Sequence, residues 1–484
     1  LRNRPDGPIQ IIEFYEEMSY SPINSKIKIR YLIVSSFRLS TTVRDLVSKL
    51  PTASESQKET TARRLLELAI FPENQLKMTK VPGLLAGLTE LLISGNDKAK
   101  EYAAAALYNL AMSPENKVTM PEVPGLLAGL TGLLTSGDDK AKEYAAAALR
   151  ILAIVPESRT KMTKVPGLLA GLTDLLRSGN DKAKEYAAWA LSILAMSPEN
   201  QVKLAEFPGL LAGLTDFLIS GSELAKAYAA AALFYLAFCS QSRTKMAEFR
   251  GLLAGLTDLL RSGSELAKEY AAAALSNLAM SPGNRTKMAE VSGLLEGLTE
   301  LLISGSEIAK DYAERVLEDL ATDHETNKGL VLQALVHKLS HDSDDERLFN
   351  LFSRLGGAPA VVDAIVSLSD TSRQIPLINK VLSKKIGDEI SLFARLFWEG
   401  DEFKDKELLE LLRSTKRAAA PRSRDEAMAF HGAGAPAGGG SAGASDKGKA
   451  LEVERLYKDI RLKKNDWGSD GSGFFNPSTR IAFE

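Results

Sequence analysis

Val81-Pro-Gly-Leu-Leu-Ala-Gly-Leu-Thr-Glu-Leu-Leu-Ile-Ser-Gly95, continued by Asn96-Asp-Lys-Ala-Lys-Glu-Tyr-Ala-Ala-Ala-Ala-Leu-Tyr-Asn-Leu-Ala111, decides how this chain folds. In the first run Leu84, Leu85, Leu88, Leu91 and Leu92 recur at the spacing that lines one face of a helix; a strand would alternate. Ser94-Gly95 stops it. In the second run Asp97 supplies the acidic first turn that suits the helix macrodipole. Tyr102, Ala103, Ala106, Leu107 and Leu110 then form its buried stripe. Upstream, Pro72-Glu-Asn followed by Leu76, Lys77 and Met78 reads as a short helix opened by proline and closed by Val81-Pro82-Gly83. The stretch is therefore a unit of three helices.

The unit repeats. Gly-Leu-Leu stands at Gly83, Gly125, Gly167, Gly209, Gly251 and Gly293, an interval of 42 residues without insertion or deletion. Tyr102, Tyr144, Tyr186, Tyr228, Tyr270 and Tyr312 keep the same beat, each opening a run that begins Tyr-Ala. A period of this length is the signature of a stacked array, in which each unit buries its apolar faces against its neighbours. Small residues let the helices approach: Ala103 and Ala106 thin the third helix, and Gly87 in the second accepts a propensity cost of about 1 kcal/mol that close packing must offset.

The 42-residue period, the Gly before the second helix and the Ala-rich third helix, above all Tyr186-Ala-Ala-Trp-Ala-Leu-Ser-Ile-Leu-Ala195, resemble the armadillo repeat family. The resemblance implies an all-α, right-handed superhelical solenoid whose third helices line a concave groove, with no catalytic centre. It covers residues 72–323 strongly. Residues 41–71, with Thr61-Ala-Arg-Arg-Leu-Leu-Glu-Leu-Ala, read as a degenerate first unit behind an N-terminal helical cap (1–40). Residues 324–412 read as a degenerate unit and C-terminal cap, carrying Val331-Leu-Gln-Ala-Leu-Val, Arg347-Leu-Phe-Asn-Leu-Phe, Val361 to Leu368 and Glu389 to Phe397. The Gly/Ala-rich stretch 413–450 is expected to be a flexible linker. Residues 451–484 form a mostly disordered tail in which Leu451 to Lys464 has the pattern of a short basic helix.

Counting along the third helix from Glu101, positions 105, 108, 109 and 112 share its angular sector and become the candidate lining of the groove. The first column reads Glu101, Glu143, Glu185, Ala227, Glu269 and Asp311, an acidic ladder that would complement a basic extended segment. Charges on a helix face also serve simply as solvent cover. The next column, Ala105, Ala147, Trp189, Ala231, Ala273 and Arg315, offers one aromatic shelf, Trp189. Asn109, Asn277, Tyr108, Phe234 and Tyr235 complete the candidate partner contacts. In the importin-alpha branch of the family, ladders of Trp and Asn clamp the peptide backbone. Here the corresponding Asn column is Asn109, Ile151, Ile193, Tyr235, Asn277 and Asp319, and no unit carries both Trp and Asn, so that clamp is not expected.

Other chemistry finds little support. With formal net charge -2, the chain has no global attraction for nucleic acid, and its apolar runs are all cut short of a membrane span. Cys239 is the only cysteine, which excludes an internal disulfide and fits a reducing compartment, cytoplasmic or nuclear. His337 and His341, with Asp342, Asp344 and Asp345, have a spacing a metal could use but equally that of a polar helix end. Gly432-Ala-Gly-Ala lacks the strand, helix and Lys-Ser/Thr of a phosphate loop. No nucleophile and base are paired, so no enzyme and no cofactor are expected. The start at Leu1 reads as a fragment or a processed chain. The basic cluster Arg413, Lys416, Arg417, Arg422 and Arg424 has three readings: a solvated tail, a nuclear-targeting signal, or an internal pseudo-ligand competing for the acidic column.

The sequence thus points to a non-catalytic scaffold or adaptor that holds extended protein segments. A transport receptor for basic cargo signals and the substrate-recognition fragment of a larger ubiquitin ligase are the alternatives.

Overall fold

The computed structural model describes residues 36–322, 324–341, 345–366, 368, 377, 398–399 and 402–403. Of the segments read from sequence, residues 1–35, Glu389 to Phe397 and everything from 404 onward, with the Gly/Ala-rich stretch, the basic cluster and the tail, lie outside them.

Six three-helix units run in register from residue 72. Unit 1 consists of Pro72–Thr79, Leu84–Ser94 and Asp97–Leu110. Units 2 to 6 repeat it, with third helices Asp139–Leu152, Asp181–Ala195, Glu223–Leu236, Glu265–Ala279 and Glu307–Ala321. Like helices of successive units pack side by side, and the third helices make the most extensive of these contacts. The result is a layered array with one continuous apolar core running from Leu39 to Leu377 among the described residues.

Each corner of the unit has a local cause. Gly83 and its five counterparts adopt φ between 79° and 85°, the left-handed region that a side chain strains, and this turn swings the chain from the first helix into the second. Asn96, Asp138, Asn180, Ser222, Ser264 and Ser306 each accept a hydrogen bond from the backbone amide three residues on, capping the third helices.

The second glycine of each second helix is a contact, not a turn. A Cβ at Gly171 would lie 2.8 Å from Leu134 Cβ, and Gly129, Gly213 and Gly255 meet Leu92, Leu176 and Leu218 in the same way. Leucines at these positions of the preceding unit therefore press directly onto helix backbone. Each buried leucine contributes about 1.5–3 kcal/mol.

The ends depart from the pattern. Ser36–Ser48 and Glu55–Ala69 stand in for the second and third helices of a preceding unit. The first of these crosses the 40/41 boundary drawn from sequence, so cap and degenerate unit are not separate there. Beyond unit 6, one unbroken helix, Glu325–Leu339, packs against both the first and the second helix of that unit, since no Pro-Gly divides it. It pairs with Glu346–Val366, which carries Phe349 and Phe352 into the core. Two short strands, Trp398–Glu399 and Glu402–Phe403, form an antiparallel pair.

Candidate functional site

The columns predicted to line the groove divide sharply between the two ends of the third helices. At the N-terminal ends the acidic ladder is occupied within the protein. Glu101 and Glu143 are buried and paired with Lys98 and Lys140, the latter at 2.9 Å. Glu143 also accepts from Asn180 of the next unit at 3.4 Å, Glu185 from Ser222 and Glu269 from Ser306. Asp311 is bound by Arg347. The carboxylate of one unit thus reaches the residue that caps the third helix of the next, and the ladder works as a stacking seam. At the break in the ladder, Ala227, the exposed Glu223 takes over and accepts the Ser264 backbone amide at 2.8 Å.

The alanine column at 105 is also closed. Ala105, Ala147, Ala231 and Ala273 are buried because neighbouring third helices approach too closely to leave them open. Trp189 is half-buried, and it is part of a stack that crosses three units. The Arg150 guanidinium lies 3.9 Å from its ring centroid on one side, while Tyr228 stacks on it at 4.5 Å and 11°. Tyr186 adds its ring 5.5 Å from Arg150. Burial pushes the Tyr228 hydroxyl up to about 12. The tyrosines assigned from sequence to the buried stripe are unequal: Tyr144 and Tyr270 are buried, whereas Tyr102, Tyr186, Tyr228 and Tyr312 are half-buried.

At the C-terminal ends the helices open. Tyr108 is half-buried, 6.3 Å from Tyr144, and Asn109 donates to the Ala105 carbonyl at 2.8 Å within its own helix. Phe234 and Tyr235 are buried and form an aromatic cluster with Phe238, Tyr270 and Tyr312. Asn277 is buried and donates to the Phe234 carbonyl at 3.2 Å, tying unit 5 to unit 4. Next to them runs the column at position 112, whose residues were not singled out in sequence: Met112, Ile154, Met196, Phe238 and Met280. Met112 and Phe238 are 39% and 48% exposed, and the other three are half-buried, so an apolar row borders the groove across five units.

Arg150 and Arg159 were missed as well. Arg150 stands in a variable column with Tyr108, Ser192, Phe234 and Ser276, and Arg159 in one that mixes glutamine with basic residues, Gln75, Lys117, Gln201, Arg243 and Arg285.

Among the described residues no group of three or more His, Cys, Asp or Glu is placed to hold a metal. The His337 and His341 rings lie 5.0 Å apart, His341 Nδ1 is 2.9 Å from the His337 carbonyl, and Asp345 caps the following helix through the Leu348 amide at 2.8 Å. No helix among the described residues is long and apolar enough to cross a membrane.

Comparison with known proteins agrees with this architecture. Residues 135–339 match the family model described as the ARM repeat region of plant U-box proteins. An engineered protein of known crystal structure is 23% identical, covers 86% of this chain and 98% of its own, and superposes with a TM-score of 0.57. A computationally designed armadillo repeat protein for modular peptide recognition is 26% identical, covering 49% of this chain and 99% of its own, with a TM-score of 0.45. A designed armadillo repeat protein in complex with the peptide (KR)4 is 24% identical, at coverages of 49% and 99% and a TM-score of 0.44. No curated protein sequence matches.

Proposed function

The chain is an armadillo repeat protein, and on that premise we propose that it is a non-catalytic scaffold whose groove holds an extended segment of a partner protein along the C-terminal ends of its third helices. The observation that carries this reading is the apolar row Met112, Ile154, Met196, Phe238 and Met280, repeated at one position per unit beside the Arg150–Trp189–Tyr228 stack. An extended chain presents side chains at regular spacing, and a row of apolar side chains in register meets it without demanding one sequence. Aromatic and Met side chains are also those favoured at the centre of protein interfaces.

Selecting peptides from a displayed library against the full chain tests the proposal. Selected peptides should lose affinity about tenfold or more on Met196→Arg, which puts a charge into the row. They should keep it on Ile93→Arg, since Ile93 is 65% exposed on a second helix away from the groove. Equal losses at the two sites would remove the groove from the account.

A second reading follows from the name of the matching family model, the ARM region of plant U-box proteins. The array would then select substrates for a ubiquitin ligase, the groove being the same. In a reconstituted ubiquitination mixture, groove partners should be modified faster with the chain present, and Met196→Arg should abolish that gain.

A further inference from the structure

We infer that the centre of the groove, across units 2 to 4, takes a carboxylate side chain of the bound segment, and that Arg159 is the group that meets it. The inference rests on the groove being the partner-binding surface and adds the chemistry of what it selects.

Gln75, Arg159, Gln201, Arg243 and Arg285, each the fourth residue of its first helix, reach back to the carbonyls that close the preceding third helix. Gln75 Nε2 donates to Ala69 at 3.4 Å, and Gln201 Nε2 donates to Ala195 at 3.3 Å. Arg159 does the same work, with Nε donating to Ala153 at 3.1 Å and Nη2 to Ile154 at 3.0 Å. An amide thus suffices to close the helix. The charge of Arg159 is surplus to that role.

That charge is also unanswered inside the protein. Among the described residues half-buried Arg159 forms no ion pair, and Nη1 is engaged by neither carbonyl. Burial accordingly pulls its basicity below the usual arginine range, and the only carboxylate in electrostatic reach is the exposed Glu157 of its own helix. A desolvated cation without an anion is an unstable arrangement that a bound anion relieves.

Two neutral donors accompany it. Tyr235, which faces Arg159 from unit 4 and is 5% exposed, has a hydroxyl without a hydrogen-bond partner. Burial pushes that hydroxyl up to about 12 while Arg159 pulls it down, so it remains a donor at neutral pH. The Trp189 indole N–H, in the stack beneath Arg150, is likewise buried without a partner. Around them lie Ile154, Met196 and Phe238. An extended segment with Glu or Asp set between apolar residues matches this combination: its carboxylate takes Arg159 Nη1, and its apolar neighbours take the row. The acidic column, by contrast, is engaged by Lys98, Lys140, Asn180, Ser222 and Ser306 and does not call for a basic ligand.

Fluorescence anisotropy with the full chain and two labelled peptides, repeats of Glu-Leu-Ser and of Lys-Leu-Ser, tests the inference. The glutamate peptide should bind more tightly, and raising salt should weaken it. Arg159→Gln should reduce its affinity about tenfold without changing the melting temperature, because glutamine already closes the helix at Gln75 and Gln201. Gln201→Arg should strengthen binding. Unchanged affinity on Arg159→Gln, or preference for the lysine peptide, overturns the inference. If binding then still falls on Met196→Arg, the groove reading survives alone; if neither peptide binds, both fall.

Discussion

The two ends of the third helices both carry polar and aromatic side chains, yet they behave as different materials. At the N-terminal ends the charges are answered within the array, Glu101 by Lys98 of its own helix, Glu143 by Lys140 and by Asn180 of the next unit, and Glu269 by Ser306 of the next unit. At the C-terminal ends the residues vary from unit to unit, and near the centre the Tyr235 hydroxyl and the Trp189 indole N–H have no hydrogen-bond partner among the described residues, while Arg159 donates to carbonyls but has no anion to meet its charge. Regularity in a repeat protein marks the contacts a unit makes with its copies, since those partners are the same each time. Irregularity marks what a unit keeps for something else.

This contrast can be broken or sharpened experimentally. The largest effect is expected at alkaline pH. Burial raises the hydroxyl pKa of Tyr186, Tyr228, Tyr235, Tyr270 and Tyr312 above the ordinary tyrosine value. Groups whose folded pKa is raised contribute stability in full below the unfolded pKa of about 10, and that stability is lost as pH rises beyond it. The array should therefore unfold cooperatively at high pH, with tyrosinate absorbance and helical circular dichroism changing together. The full tyrosinate absorbance of all twelve tyrosines reached near pH 10 with the helices intact would contradict the burial.

Next comes Asn116→Ala. Asn116 is 1% exposed, donates to Leu110 at 2.8 Å and Gln75 at 3.1 Å, and accepts from Thr79 at 2.7 Å. Its loss leaves buried groups unpaired across a unit boundary, at about 2–4 kcal/mol by denaturant titration. Glu143→Ala should cost less, about 1 kcal/mol, because Lys140 is half-exposed and water takes over part of its interaction. Smallest is Arg159→Gln, expected to stay within about 0.5 kcal/mol of wild type in the same titration. A cost for Arg159→Gln above that for Glu143→Ala would make Arg159 a structural residue and erase the difference between the two ends.

Much of the fold was legible in the sequence because its determinants are local and repeated: the break at Val81-Pro82-Gly83, the leucine stripe of Leu84 to Leu92 and the acidic start of the third helix at Asp97. The lining of the groove was less so. Angular position on an isolated helix put Glu101 and Ala105 on the open face, but neighbouring third helices pack so closely that both are covered. Exposure there depends on inter-helix distance, which periodicity does not encode. Position 112 fell in the predicted sector, but its residues were not followed from unit to unit, and the apolar row they form emerged only in the structure. Trp189 was recognised as an isolated shelf, whereas its stacking on Tyr228 and under Arg150 joins residues 39 apart on either side and is invisible along a single helix.

The central claim is that partners lie against the C-terminal ends of the third helices. Site-specific photo-crosslinking reads this directly, with a benzophenone side chain placed at Met196, at Lys98 or at Ile93 and a library-selected peptide as the partner. The account predicts adducts from position 196 and none from position 93, with position 98 well below 196. Equal or stronger crosslinking from position 98 would place the partner on the acidic ends and contradict it.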